Sequence, residues 1–137
     1  MNILLGDREY FKGIPQIKHE GPKSDNPLAF RWYNPGQKVG GKTMREHLKF
    51  AIAYWHTLGG TGGDPFGPGT KQFRWLESNL PSSRQGKPLQ QARDKMDAAF
   101  EFATKIGIDY YCFHDFDLVA EGATLSESAS RLEAITA

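Results

Sequence analysis

The sequence predicts an α/β chain, in which an irregular amino-terminal arm precedes two strand–helix units that share a parallel sheet. Three observations carry this. Two short apolar runs, Phe50-Ala-Ile-Ala-Tyr-Trp55 and Ile108-Asp-Tyr-Tyr-Cys-Phe113, have the β-branched and aromatic make-up of strands. Helical spacing of apolar residues lies between them and again after the second. Strands alternating with helices imply a parallel sheet. The arm, residues 1–42, shows no periodicity and is punctuated by Pro15, Pro22, Pro27 and Pro35, with glycines at 13, 21, 36, 40 and 41.

Within the arm, Ala29-Phe-Arg-Trp-Tyr33 reads as a short strand and Asn34-Pro-Gly36 as a turn. Residues 43–137 hold the two units. Thr43 caps a short helix over Met44–Lys49, with Glu46 at the capping-box position. The first strand follows near 50–55. Gly59 to Gly69 is too rich in glycine and proline for regular structure, and the loop continues through residues 70–88. The helix near 89–106 is marked by Met96, Ala99, Phe100, Ala103 and Ile106, with Lys105 in its last turn and Gly107 as its C-cap. The second strand, near 108–113, reads as a buried parallel strand with polar residues at its carboxyl end, and Cys112 as a small core residue. Thr124 caps a helix near 124–136 that has Glu127 at the capping-box position and Leu125, Ala129, Leu132 and Ile135 as its apolar face. Two strands cannot cover both faces of a parallel sheet, so the fold is incomplete and its open edges are expected to self-associate or to meet further strands.

The composition narrows the function. Seventeen basic and 16 acidic residues among 137 leave a formal charge of +1. That balance excludes a nucleic-acid binder held by phosphate contacts and a polybasic membrane anchor. A single cysteine forms no internal disulfide, which fits a reducing compartment. No apolar run approaches the roughly 18 residues of a membrane span, and the first residues lack the pattern of a secretory signal. A cytoplasmic protein of one domain is expected.

Several residues carry candidate chemistry. Gly36-Gln-Lys-Val-Gly-Gly-Lys-Thr43 matches the phosphate-cradling pattern G-x-x-x-x-G-K-[ST], with Lys42 to neutralise charge and Thr43 to hold a magnesium ion. Its context is poor, because Asn34-Pro35 rather than a strand precedes it and the helix after it is short. A turn before a capped helix is the plainer reading. His114-Asp-Phe-Asp117 closes the second strand, where ligands bind in parallel α/β folds. A histidine with a carboxylate to set its tautomer can pass protons near neutral pH; the plainer reading is a solvated strand end. His114, Asp115, Asp117 and Glu121 form a conceivable metal set, though four such groups on one turn rarely converge. Trp55-His56 ends the first strand at the same edge. Phe66, on its rigid Pro/Gly loop, stays wet unless it docks, and a partner subunit is a natural place for it.

The residues in order resemble the amino-terminal part of the xylose isomerases of the longer, class II form. The likeness runs through Phe30-Arg-Trp-Tyr-Asn-Pro, Gly41-Lys-Thr-Met, His47-Leu-Lys-Phe-Ala-Ile-Ala-Tyr-Trp-His-Thr, Gly60-Thr-Gly-Gly-Asp-Pro-Phe-Gly-Pro-Gly-Thr and Tyr111-Cys-Phe-His-Asp-Phe-Asp. It implies that the two units are the first of a TIM (β/α)8 barrel. It also implies the family's activity, metal-dependent interconversion of D-xylose and D-xylulose by hydride shift in a tetramer with two divalent cations (Mg²⁺, Mn²⁺ or Co²⁺). On this resemblance His114 is the ring-opening histidine and Asp117 the carboxylate that orients it. Trp55 is then an aromatic wall, and Phe66 reaches a neighbouring subunit's pocket. The family's metal ligands and catalytic lysine lie on later strands, so this chain by itself is expected to bind no metal and to be inactive. Its alternatives are a non-catalytic assembly module or, less favoured, nucleotide binding at Gly36–Thr43. The expected partners are a second copy or the rest of the barrel, with sugar bound only in a completed barrel, and neither nucleic acid nor membrane.

Overall fold

A computed structural model describes residues 9–60, Pro65, Gly67, Phe73, Trp75 and 86–137. Where a strand was expected over 29–33, the arm makes one parallel bridge, His19 to Phe30. The Phe30 N–H donates to the Lys18 carbonyl and its own carbonyl accepts from Glu20. The arm then ends in a hairpin that straddles residue 42, with β1 (Lys38–Val39) antiparallel to β2 (Lys42–Thr43). Gly40 and Gly41 turn it, with φ of 56° and 85°. A two-residue type I′ turn demands positive φ at both positions, which glycine adopts without steric cost.

Helix α1 (Met44–His47) starts on the expected capping box. Thr43 Oγ1 accepts the Glu46 N–H, and Glu46 Oε2 accepts the Thr43 N–H at 2.7 Å. Strand β3 (Ala51–Ala53) is shorter than its apolar run, because Tyr54 has already turned helical. A single π-helical turn, Trp55–Gly59, follows and is closed by the Gly60 N–H donating to the Trp55 carbonyl at 3.1 Å.

Helix α2 (Pro88–Ile106) carries proline at its first position, where no helical partner for an N–H is needed. It ends at Gly107 in the left-handed region, φ 71° and ψ 35°. A Cβ there would meet no heavy atom within 4 Å, so the penalty for any other residue is a backbone one, about 1–2 kcal/mol. Gly107→Ala is expected to lower Tm by that backbone cost alone; an unchanged melting curve would show that α2 does not need this cap.

Strand β4 (Tyr110–Cys112) pairs parallel with β3 in the register Ala51–Tyr110, Ile52–Tyr111, Ala53–Cys112, with α2 as the crossover. Alternation sends Ile52 and Tyr111 to the α2 side, where Phe100 meets the Tyr111 ring edge-on at 5.7 Å. The pairing agrees with expectation, but the burial does not. All three residues of β4 are exposed, among them Cys112, expected in the core. Among the described residues this sheet has two strands and is not a closed barrel. Among the described residues no strand pairs with the outer edge of β4.

After β4 the chain forms a helix that the sequence did not announce, α3 (Asp115–Leu118), and then α4 (Leu125–Thr136). Thr124 caps α4 by accepting the Glu127 N–H, as expected. The Glu127 carboxylate reaches one residue further back than a capping box requires, to the Ala123 N–H at 2.8 Å.

Small residues let α2 sit close to two separate cores. Ala98 and Ala99 pack with Tyr54, Leu58 and Trp75, whereas Ala92 packs with Leu118, Val119 and Ile135. The arm is tied to this helix by Glu101, which is 2% exposed. Its carboxylate accepts the N–H groups of Tyr10 (2.6 Å) and Phe11 (3.0 Å) and pairs with Lys105 at 2.8 Å. The Tyr10 hydroxyl donates to Asp94, and the Ile17 N–H donates to the Lys105 carbonyl at the end of α2. Among the described residues no helix is long and apolar enough to cross a membrane.

Candidate active site

Parallel pairing brings the carboxyl ends of β3 and β4 to one edge. Ala53 lies opposite Cys112. Two residues beyond each lie Trp55 and His114, and their ring centroids are 4.6 Å apart at 48°. Two positions of the sequence separated by nearly sixty residues thus become one aromatic corner, at the sheet edge where parallel folds place ligands.

His114 is the N-cap of α3. Asp117, at the third helical position, turns its carboxylate back onto the cap residue. Oδ2 accepts the His114 backbone N–H at 2.7 Å and contacts Nδ1 at 2.9 Å. A carboxylate only accepts, so Nδ1 carries a proton, and in the neutral ring Nε2 presents a lone pair. Asp117 is buried, whereas the His114 side chain is about half exposed, at 53%. The imidazole is therefore anchored at one nitrogen and open at the other. Phe116 stacks on it, 5.2 Å between centroids and 6° between planes.

Lys95 of α2 supports this turn from behind. Its ammonium donates to the Asp117 backbone carbonyl and lies 5.1 Å from the centre of the Tyr54 ring. Burial pushes Lys95 below the usual lysine range, and the nearby Asp117 charge offsets part of that. Burial, with Asp117, Tyr111 and Asp97 adding, holds the Tyr54 phenol well above its ordinary value. The Tyr54 hydroxyl is buried and has no hydrogen-bond partner among the described residues.

The other candidates fare differently. Phe66 lies outside the described residues. His56 is exposed, with its ring 5.5 Å from that of Trp55. The supposed metal set does not converge. Asp117 is turned to His114, and Asp115 accepts the N–H of its neighbour Phe116 at 2.8 Å. Among the described residues no group of three His, Cys, Asp or Glu side chains could hold a metal ion. The described residues therefore do not fit a divalent cation. Gly36–Thr43 is a hairpin feeding a four-residue helix rather than a strand, loop and long helix. The Thr43 hydroxyl is committed to the Glu46 carboxylate at 2.7 Å, which puts negative charge where a phosphate cradle needs the opposite.

Sequence reasoning missed Lys95 and Phe116. For Lys95 the signal was present: it lies three residues after Ala92 and four before Ala99, on the apolar stripe of α2. A lysine there implies an internal acceptor. Phe116 was visible only as an aromatic inside a polar turn.

Comparison with known proteins agrees with the motif resemblance. Over 133 residues the chain is 50% identical to a xylose isomerase of Bacteroides thetaiotaomicron, covering 97% of this chain and 29% of that protein. It is 49% identical over 131 residues to xylose isomerase 2 of Xanthomonas campestris pv. campestris, covering 96% of this chain and 28% of the relative. The same values hold for a xylose isomerase of Xanthomonas oryzae pv. oryzae. No protein-family model matches the chain. The chain is homologous to part of these xylose isomerases and spans less than a third of their length.

Proposed function

We propose that this chain forms the sugar ring-opening corner of a xylose-isomerase-type aldose–ketose isomerase, equivalent to the amino-terminal arm and first two βα units of a TIM barrel. The observation that carries the reading is the His114–Asp117 pair beside Trp55, at the carboxyl ends of two parallel strands. Asp117 holds the proton on Nδ1, so Nε2 takes the proton of the anomeric hydroxyl of a cyclic sugar. The bond from C1 to the ring oxygen breaks, and the ring oxygen receives the proton, giving the open-chain aldehyde with no net gain or loss. Trp55 offers its face to the apolar C–H side of the sugar, and Phe66 is assigned to the pocket of a neighbouring copy. In the family two divalent cations polarise the open-chain sugar for the hydride shift. The described residues do not fit a metal, so that step is assigned to groups outside them.

The test is a pair of assays. The 137-residue chain with Mg²⁺ or Mn²⁺ is expected to convert no D-xylose to D-xylulose. A chimera in which it replaces the matching 29% of the Bacteroides thetaiotaomicron relative is expected to do so. A folded chimera without turnover would overturn the reading.

A second role, assembly, is favoured by the uncovered aromatic surface of β4 and its flank. Tyr110, Tyr111 and Phe113 are each nearly half exposed, and Trp32 is 81% exposed. An apolar surface of this kind next to an unpaired strand edge associates. Sedimentation of the free chain at micromolar concentration is expected to show dimers or larger species, and a monomer across the range would exclude this role.

A further inference from the structure

Behind the His114–Asp117 pair, Lys95 makes a polar contact between α2 and α3. We propose that Lys95 is a positioning residue for His114: by tying the Asp117 carbonyl to α2 it holds the α3 turn in the one conformation that keeps the Asp117 carboxylate on Nδ1. This rests on the proton-carrying role given to His114 above and adds a residue to it.

Helix α3 is a single turn of four residues, too short to hold its shape by its own hydrogen bonds. Asp117 Oδ2 must nevertheless satisfy two donors of one residue, the backbone N–H and the ring Nδ1–H of His114. Both bonds require the backbone at 117 to stay where it is. Lys95 is the side chain that grips that backbone, through the carbonyl of Asp117 itself. The lysine is in turn fixed over the Tyr54 ring, immediately before the turn that carries Trp55. One ammonium thus references the proton-holding side of the corner and the aromatic side to the same helix. Its position is costly, since burial lowers its proton affinity, and a lysine that served only packing would be better replaced by an apolar residue.

The experiment uses the 137-residue chain with nitrogen-labelled histidine, reading the His114 ring nitrogens by long-range proton–nitrogen correlation, with helical content followed by circular dichroism. The unaltered chain is expected to hold His114 as the Nδ1–H tautomer. Lys95→Met, which keeps the stem and removes the donor, is expected to lose that preference and give a mixture with the Nε2–H form. It should also lose exchange protection at the His114 backbone N–H. Lys95→Arg is expected to restore both. If Lys95→Met loses its helical signal, Lys95→Leu, which also removes the donor, is read in its place. An unchanged tautomer and unchanged protection in a folded Lys95→Met or Lys95→Leu chain would overturn the proposal. The readout needs no turnover, so it separates from the reading it rests on. A shifted tautomer in a system where His114→Ala leaves isomerisation intact would leave Lys95 as the positioner and remove the catalytic role of His114.

Discussion

Replacing His114 by alanine in the chimera is expected to lower kcat for D-xylose by about 100- to 10,000-fold, the usual worth of a positioned proton-transfer group. On the proposed reading KM should change little, because Trp55 and groups outside the chain would share the sugar contacts. The loss should then shrink when the assay is started with sugar already in its open form, because the proposed step acts on the closed ring. Asp117→Asn provides the contrast. The amide is isosteric, but the one atom at the Oδ2 position faces both His114 groups: as NH2 it donates to Nδ1 and stabilises the tautomer with the proton on Nε2, at the expense of the bond to the backbone N–H. In that orientation kcat should fall towards that of His114→Ala. Equal rates for His114→Ala and the parent chimera would refute the assignment, and stopped-flow or coupled xylulose assays resolve the difference.

Removal of Glu101 is expected to be the largest structural perturbation. Its carboxylate is the acceptor for two backbone N–H groups of the arm, and leaving such groups buried without an acceptor costs about 1–3 kcal/mol each. The arm avoids that cost by letting go. Glu101→Ala should therefore release the arm, seen as loss of amide-exchange protection at Tyr10, Phe11 and Ile17 while α2 stays protected. Retained protection would show that Phe11 against Phe102, 5.8 Å between rings, is sufficient. Acid should reproduce the effect. Burial pushes Glu101 up, but Lys105 and the two N–H groups outweigh it and hold it below the usual carboxylate range. A carboxylate depressed on folding stabilises above its unfolded value, and that contribution is lost as pH falls through the folded one. Lys105 is raised by its bond to Glu101, so its part is present below the ordinary lysine range and is lost only as pH rises through the raised value. The latch should hold across neutrality and open in acid, below the pH at which free glutamates titrate.

What could be read from the sequence was what local chemistry decides. Helix α2 appeared with its apolar stripe and glycine end because periodicity and a left-handed C-cap are short-range signals, whereas its proline start was read as part of the preceding loop. The capping box at Thr43 and Glu46 is of the same kind, as is the neighbourhood of His114 and Asp117 three residues apart. The meeting of Trp55 with His114 followed only from supposing parallel pairing. The π-helical turn that ends β3 and the single turn of α3 left no mark, since both replace strand or loop geometry over fewer residues than a pattern needs. The exposure of β4 was misread because Tyr110 to Cys112 has the composition of a strand covered on both sides. Composition reports the environment a segment suits, and here the neighbours that would provide it are not among the described strands. Glu101 was invisible for a different reason: its partners in the arm lie some ninety residues away.

That separation has a consequence for how the molecule comes into being. The Tyr10 N–H closes on a carboxylate 91 residues later. At about 5–20 residues per second of synthesis, the two groups leave the ribosome roughly 5–18 s apart. Through that interval the Glu101 carboxylate does not yet exist for Tyr10 and Phe11, so this contact with α2 forms only after most of the helix has been made.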